Sequence, residues 1–277
     1  MNLGEQLIPA SSETGEHRSQ PGSTVTRTIF VVAILTAVLL LSLQSNRQLL
    51  ELVNDWLSPM LALFAFGSAL LTIATTGVRS GDRMSTAWGA YAMGVLMWFL
   101  AEVSWSVYPF LLGVLTPYPS LADFFGLAGY FPIIVGLLLQ AWPFRDAFRS
   151  KKVFVGLMFV AFVAVFVVTS LLPLMLTQRE SAGAIVVSLA YPLLDVTVLS
   201  IAVPSFLTWM EGTYWRPFLF LVLGIILGLL AHILFGWTNL IGVYYPGHPL
   251  ELLYDWGYLS AALGFYLRRK QIIAKSL

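Results

Sequence analysis

The feature that most constrains this chain is a series of apolar runs, each about as long as a membrane is thick. A transmembrane helix needs about 20 consecutive, mostly apolar residues to cross the hydrocarbon layer. The first run contains no charged residue and lacks the small-residue cleavage site of a signal peptide. The sequence predicts eight transmembrane helices: Thr28–Asn46, Trp56–Gly77, Thr86–Tyr108, Leu121–Trp142, Val153–Leu176, Ala182–Met210, Pro217–Leu240 and Glu251–Leu267.

Composition favours helices in lipid over a soluble fold or a membrane β-barrel. Hydrophobic residues make up 58% of the chain and charged residues 10%, whereas soluble domains carry about 25% charged residues. The strands of a membrane barrel alternate polar and apolar residues, but Val153–Val168 contains no polar residue. We therefore predict an all-α, polytopic membrane protein in the lipid bilayer. The lack of cysteine excludes disulfides and thiolate metal sites, and the net charge of +1 indicates no nucleic-acid partner.

The distribution of Lys and Arg predicts how the chain is oriented. With eight spans, one side of the membrane carries 13 of these residues, and the other side carries 2, Arg47 and Arg179. Because positive residues stay in the cytoplasm, both termini are expected there. Residues 1–27 are predicted to be a disordered cytoplasmic tail, residues 28–268 the transmembrane bundle, and residues 269–277 a short cytoplasmic tail.

Aspartates recur at intervals of about one helical hairpin, which predicts an internal repeat. The spacings between Asp55, Asp123, Asp195 and Asp255 are 68, 72 and 60 residues. Leu50–Trp56 (LELVNDW) and Leu250–Trp256 (LELLYDW) agree at five of seven positions. We interpret the chain as four degenerate helical hairpins or as two four-helix halves.

The segment Trp98–Leu137, which includes PYPSLAD, resembles the N-terminal membrane region of bacterial GGDEF diguanylate cyclases and histidine kinases. Ala190–Asp195 and Asp255–Tyr258 carry the same resemblance further along the chain. In that family a cytoplasmic output domain follows the last helix, whereas about nine residues follow it here. The resemblance implies a sensor in the bacterial cytoplasmic membrane that signals to a separate cytoplasmic or membrane protein.

Ionisable and aromatic residues in the predicted spans are the candidates for a site, because charged groups are costly in lipid and usually functional there. Carboxylates among aromatic rings suit a cationic or amphipathic small molecule. The predicted ligand-binding residues, which would line a cavity open to the outer side, are Glu102, Trp105, Asp123, Tyr191, Asp195, His232, Asp255 and Trp256.

Each of these residues also has a purely structural interpretation. Asp55, Asp123 and Asp255 lie near predicted helix starts, where an aspartate caps backbone N–H groups. Trp and Tyr also form ordinary belts at membrane interfaces. A histidine such as His232 is more often a hydrogen-bonded packing residue than a ligand.

Gly224 and Gly228 form a GxxxG pattern that lets another helix approach closely, either within the bundle or in a homodimer. The sequence contains no HExxH, GxSxG or phosphate-binding glycine loop. It therefore predicts no catalytic residue, no metal ligand and no particular cofactor.

Three hypotheses follow. The first is a membrane sensor or binding module that passes ligand binding to a separate partner. The second is a small-molecule or ion-coupled transporter, because internal repeats and intramembrane acids are typical of transporters. The third is a membrane enzyme acting on a lipid or isoprenoid through paired carboxylates.

Overall fold

The computed structural model describes residues 21–77, 81–113, 116–142, 150–177, 181–209 and 215–276. Within these ranges the chain is helical and contains no strand. A 3₁₀ turn, Leu43–Ser45, follows the first helix, and a π-helical turn, Tyr108–Leu112, follows the third. The eight long helices are α1 Pro21–Ser42, α2 Arg47–Thr76, α3 Arg83–Val107, α4 Leu121–Ala141, α5 Lys151–Thr177, α6 Ala182–Trp209, α7 Trp215–Leu240 and α8 Glu251–Ser276.

Helix α1 begins before the predicted transmembrane run. The predicted disordered tail, residues 1–27, lies partly outside the described residues, and its last part, 21–27, belongs to the helix. Proline at the first helical position is favourable because its fixed φ suits the helix and its missing N–H has no partner to lose. The apolar run indicates which residues lie in lipid, whereas the helix also includes residues that precede this run.

Helix α2 also begins earlier than predicted, at Arg47 instead of Trp56. The side chain of Asn46 accepts a hydrogen bond from the backbone N–H of Leu49 and caps this start. Asp55 therefore lies more than two turns inside the helix, and its interpretation as a cap is wrong.

Helix α8 continues to Ser276 instead of ending at Leu267, so the predicted tail at 269–277 is helical through 276. Packing against α2 and α3 explains the extension. Arg269 Nε donates to Thr75 Oγ1 at 3.0 Å, and the Arg268 guanidinium lies 5.7 Å from the ring centre of Trp88. Polar residues that bind neighbouring helices thus extend the helix beyond its apolar segment.

Six helices form a closed ring, and the remaining two lie outside it. Going round the ring, the packed neighbours are α2, α3, α4, α6, α7 and α8, and α8 closes the ring against α2. Helix α1 packs on the outside against α8, and α5 packs on the outside against α6 and α7. This arrangement leaves a space along the centre of the ring.

In the part of the chain that the structure describes, seven helices, α1 to α7, are long and apolar enough to cross a membrane. Helix α8 does not meet this criterion, because its apolar part is short and lies between Glu251 and Asp255 at one end and Arg268 at the other. The outer helices expose rows of large apolar side chains, such as Ile34 on α1 (63% exposed) and Phe162 on α5 (67% exposed). Water would penalise such rows, so the chain is a polytopic, membrane-embedded helical protein.

Glycines bring two pairs of neighbouring helices into very close contact. A Cβ built on Gly94 of α3 would lie 3.1 Å from the carbonyl oxygen of Gly129 on α4. A Cβ on Gly224 of α7 would lie 2.8 Å from the carbonyl oxygen of Gly257 on α8. Backbone contact of this kind needs residues without side chains, and it fixes the two hairpins α3–α4 and α7–α8.

Candidate functional site

A cavity of about 240 Å³ lies inside the ring and is lined by residues of all six ring helices. Its walls are mainly apolar and aromatic, with a small set of polar groups. Among the described lining residues there is no Lys or Arg, and His232 is the sole basic residue. Five acids line the cavity: Asp55, Glu102, Asp123, Asp195 and Glu251.

The most connected polar cluster joins α4, α6 and α7. Tyr130 donates its hydroxyl to Asp195 Oδ1 at 2.6 Å. His232 Nδ1 lies 3.2 Å from Asp195 Oδ2 and 3.1 Å from the Tyr130 hydroxyl oxygen. The Asp195 side chain is 4% exposed and that of His232 is 22% exposed. The imidazole of His232 therefore borders the open part of the cavity, and the buried carboxylate of Asp195 fixes its position through the contact at Nδ1.

A second cluster joins α3 and α8 across the ring wall. The hydroxyl of Tyr258 donates to Glu102 Oε1 at 2.6 Å, and both residues line the cavity. One turn further along α3, Trp105 meets Phe235 of α7 edge to face at 6.3 Å. These aromatic rings narrow the space between the two hairpins.

The seam between α2 and α8 carries a ladder of two polar pairs. Asn54 Nδ2 donates to Glu251 Oε2 at 2.7 Å, and one turn below Ser58 donates to Asp255 Oδ1 at 2.8 Å. Among the described residues, two buried oxygens of this ladder, Asn54 Oδ1 and Asp255 Oδ2, accept no hydrogen bond from another protein group. Two direct side-chain hydrogen bonds, from Asn54 to Glu251 and from Ser58 to Asp255, thus join α2 to α8 behind the cavity.

Asp123 serves as a helix cap. Its Oδ2 accepts hydrogen bonds from the backbone N–H and the hydroxyl of Ser120, at 2.7 and 3.0 Å, which closes a capping box at the start of α4. Its other oxygen accepts a longer bond of 3.4 Å from the hydroxyl of Tyr191 on α6. The interpretation of Asp123 as a helix cap thus holds, and Asp123 also lines the cavity.

The loop between α7 and α8 closes one end of the site. Tyr244 donates its hydroxyl to Glu251 Oε1, and burial followed by the charge of Glu251 raises the pKa of Tyr244 above its usual value. His248 accepts the backbone N–H of Leu250 on its Nδ1. Burial followed by the nearby charge of Arg47 lowers the pKa of His248, which favours the neutral, accepting imidazole.

Aromatic rings surround the imidazole of His232. The ring centre of Tyr191 lies 4.8 Å away and that of Tyr254 lies 5.3 Å away. On the opposite side of the cluster, Trp98 stands edge-on to Tyr130 at 5.9 Å and donates Nε1 to the carbonyl of Gly126. The site is therefore an aromatic box with carboxylates in its walls.

The structure brings most of the residues predicted from sequence to one place. Those that line the cavity are Glu102, Trp105, Asp123, Tyr191, Asp195 and His232. Asp255 is fully buried in the α2–α8 seam behind the cavity wall, and it is not a first-turn cap because α8 begins at Glu251. Asp123 and Asp255 lie on α4 and α8, which do not pack together, so these two carboxylates do not form a pair for the acid–base chemistry of the enzyme hypothesis.

Trp256 is the predicted site residue that the structure places elsewhere. Its Nε1 donates to the carbonyl of Ala33 on α1 at 3.0 Å, on the outer face of α8. Trp256 follows Asp255 directly, and successive helical residues point about 100° apart. The prediction that Trp256 lines the cavity is therefore wrong, and the residue instead docks α1 on the ring.

The two glycines of the GxxxG pattern have different surroundings. Gly224 touches the backbone of α8 at Gly257, so this position serves packing within the bundle. Gly228 lines the cavity, and a Cβ built there would meet no atom within 4 Å. A Cβ built on Gly257 would also lie 3.9 Å from the backbone nitrogen of Gly228. Both glycines of the pattern therefore lie against α8, and Gly224 makes the tighter contact.

Sequence reasoning missed several residues of the site. Tyr130, Tyr254 and Glu251 were not selected, although Glu251 stands in the repeated LELLYDW segment. That match could have indicated Glu251, because its counterpart segment contains Asn54, the residue that binds it. For Tyr130 the sequence offers no comparable signal, since tyrosines in apolar helices are common at interfaces.

Comparison of the chain with protein-family models, with curated proteins and with solved structures finds no match. Within the described residues, no group of three or more His, Asp or Glu side chains is arranged to hold a metal ion. The functional argument therefore rests on the cavity itself.

Proposed function

We propose that the protein is an integral membrane binding module whose central cavity takes up a small organic cation from the outer side of the membrane. Binding then alters helix packing, and a separate cytoplasmic or membrane partner reads the change. The observation that carries this proposal is the hollow six-helix ring, whose described lining holds five acids and one histidine but no Lys or Arg.

Electrostatics selects the sign of the ligand. Carboxylates removed from water are costly unless a proton or a cation compensates them. Tyrosine and tryptophan rings attract cations through their negative faces. A small ammonium compound satisfies both requirements, whereas an anion would meet only repulsion from these walls.

The hydrogen bonds of the site supply a route for signalling. Glu102 and Tyr258 join α3 to α8, and Asp195 joins α6 to α4 and α7. A cation that draws either carboxylate towards itself weakens a link between helices. Ligand binding and ring geometry are then coupled through the same side chains, as a population shift requires.

In this proposal α8 is the eighth span, and both termini are cytoplasmic. The excess of Lys and Arg on one side of the eight-span arrangement supports this orientation. The resemblance noted above supports a location in the bacterial cytoplasmic membrane and a separate signalling partner. A homodimer remains an expectation, and Gly224 is already used in contact with α8.

We further propose that the ring consists of two related halves, α2–α4 and α6–α8. Gly94 contacts Gly129, and Gly224 contacts Gly257. Gly224 of α7 follows Gly94 of α3 by 130 residues, and Gly257 of α8 follows Gly129 of α4 by 128 residues. The same offsets relate Gly136, which faces the carbonyl of Ala87, to Gly264, which faces the carbonyl of Pro217.

The two halves also correspond at the site. Glu102 lies eight residues after Gly94, and His232 lies eight residues after Gly224. Each binds a tyrosine of the other half. Glu102 binds Tyr258, which follows Gly257, and His232 binds Tyr130, which follows Gly129. These matched contacts support a two-fold internal repeat with its axis through the cavity.

Thermal unfolding of the detergent-solubilised protein tests the cation proposal. We expect tetramethylammonium and phenethylamine to raise the unfolding temperature and phenylpropionate to leave it unchanged, since only ligands of the folded state stabilise it. Glu102→Gln should remove most of the response. Glu51→Gln, which alters an exposed acid of α2, is the matched control. Equal responses to the cations and the anion would overturn the proposal.

Transport is the second candidate, favoured by the position of the cavity between two related halves. Proteoliposomes loaded with buffer and supplied with labelled phenethylamine distinguish the two functions. A binding module takes up no more label than empty liposomes retain, whereas a transporter accumulates it in a manner that Glu102→Gln abolishes.

A further inference from the structure

One position differs sharply between the two proposed halves of the ring. In the first half Trp98 follows Gly94 by one turn, and in the second half Gly228 follows Gly224 by the same interval. The backbone around both positions packs alike, because Gly94–Gly129 and Gly224–Gly257 make the same contact. A large aromatic side chain in one half is therefore matched by no side chain in the other.

The indole of Trp98 fills the space beside its hairpin. A Cβ built on Gly129 would lie 2.6 Å from Nε1 of this ring, and Nε1 donates to the carbonyl of Gly126. The ring also stands against Tyr130 at 5.9 Å. In the first half, then, a flat aromatic group is held by a glycine surface, a carbonyl and a tyrosine.

The corresponding space in the second half is open. A Cβ on Gly228 would meet nothing within 4 Å, and Gly228 lines the cavity. One turn further along α7, the imidazole of His232 packs against the aromatic rings of Tyr191 and Tyr254. An uncovered glycine surface thus lies beside an aromatic wall.

Negative charge lies within reach of this space. Glu102, Asp195 and Glu251 line the same cavity as Gly228 and Tyr254. A ring placed over Gly228 can therefore carry an amino group on a short chain towards a carboxylate. The cavity of about 240 Å³ has room for one small molecule.

We propose that Gly228 forms the floor of an aromatic subsite and that the ligand is an aromatic amine, with its ring over Gly228 and its ammonium group among the carboxylates. The inference rests on the proposed cation-binding function and adds the class of ligand. Gly228 is then the residue that determines specificity, because any large side chain there would occupy the place of the ligand's ring.

The test uses three probes that separate charge from ring: phenethylamine, ethylamine and phenethyl alcohol. Isothermal titration of the purified full-length protein in detergent measures their affinities. Wild type should bind phenethylamine roughly tenfold or more tightly than ethylamine, since burying a ring is worth about 1.4 kcal/mol or more. Phenethyl alcohol, which lacks the charge, should bind more weakly than phenethylamine.

Gly228→Trp should lower the affinity for phenethylamine at least tenfold more than that for ethylamine, so that the preference for the aromatic amine disappears. Circular dichroism of the variant shows whether it is folded. If this variant does not fold, Gly228→Val and Gly228→Leu replace it, with losses that grow with side-chain volume. Gly228→Ala, whose Cβ fits the open space, should keep most of the preference for the aromatic probe.

The outcomes separate the two claims. Equal binding of phenethylamine and ethylamine by wild type, or full phenethylamine affinity in folded Gly228→Trp, would overturn the subsite and leave the cation site standing. Absence of binding by either amine would overturn the proposed function and the subsite with it.

Discussion

At the residue scale, the site depends on which polar groups the helices bring together, and sequence could indicate only part of this. Glu102, Asp195 and His232 were identifiable because charge in an apolar run is rare and costly. Their partners Tyr130 and Tyr258 could not be identified, because a tyrosine in a helix carries no mark of what its hydroxyl will meet.

The two glycines of α7 give a prediction in which equal substitutions have opposite effects. Gly224→Ala should lower the free energy of unfolding by about 1–3 kcal/mol, because the new Cβ would lie 2.8 Å from the Gly257 carbonyl oxygen. Gly228→Ala should be neutral or stabilising by up to about 1 kcal/mol, because its Cβ meets open space. Unfolding in detergent followed by tryptophan fluorescence measures both, and equal destabilisation would contradict the packing described for α7 and α8.

Removing the hydroxyl of Tyr130 tests the Asp195 cluster. Tyr130→Phe leaves the buried carboxylate of Asp195 without its shortest hydrogen bond, 2.6 Å, and should cost about 1–3 kcal/mol of unfolding free energy. Tyr266→Phe is the control, because the Tyr266 hydroxyl makes no hydrogen bond within the described residues. In a double-mutant cycle with Asp195→Asn the two changes should be non-additive, and additive effects would show that they do not interact.

At the element scale, helix bounds were predictable where lipid sets them and unpredictable where protein contacts do. Helix α4 begins at Leu121 and α7 ends at Leu240, as the apolar runs indicate. The early start of α2 and the late end of α8 escaped prediction because polar residues form both segments. A hydropathy argument assigns such residues to loops, although a capping Asn46 and the contact of Arg269 with Thr75 keep them helical.

The attachment of α1 to the ring gives a prediction at this scale. Gln44 donates to the carbonyl of Gly247 at 3.0 Å and accepts from the hydroxyl of Tyr245 at 2.6 Å. Gln44→Met keeps the size but removes both bonds, so amides of the loop between α7 and α8 should exchange about tenfold faster or more, since a hydrogen bond contributes about 0.5–1.5 kcal/mol.

Hydrogen exchange measured by mass spectrometry reads this loop directly. Gln48→Met, at an exposed position one turn further along the chain, is the control and should leave exchange in the loop unchanged. Unchanged exchange in Gln44→Met would mean that Gln44 does not fasten the loop that covers the site.

At the scale of the whole molecule, the sequence predicted an all-helical membrane protein but not the ring. Adjacent helices in the chain pair readily in any bundle, whereas the contacts that close the ring, α4 with α6 and α8 with α2, join distant segments. The sequence also could not predict that α1 and α5 lie outside the ring, because the apolar faces of these two helices differ little in composition from the faces of the ring helices.

Cysteine labelling tests the eight-span arrangement, and the natural chain contains no cysteine. Single variants Ser45→Cys and Ser181→Cys should react in intact cells with a thiol reagent that cannot cross membranes, because both sites are expected outside. Ser150→Cys and Ala274→Cys should react only after the cells are opened. Labelling of Ala274→Cys in intact cells would place the end of α8 outside and contradict eight spans.

The central claim is that the ring of six helices is a binding site for one small organic cation, and native mass spectrometry tests it most directly. Protein released from a mild detergent in the presence of excess phenethylamine should carry one adduct of that mass. The adduct should be absent with phenylpropionate, much reduced in Glu102→Gln and unchanged in Glu51→Gln. A protein that remains bare in phenethylamine, or that carries the anion as readily as the amine, would contradict the account.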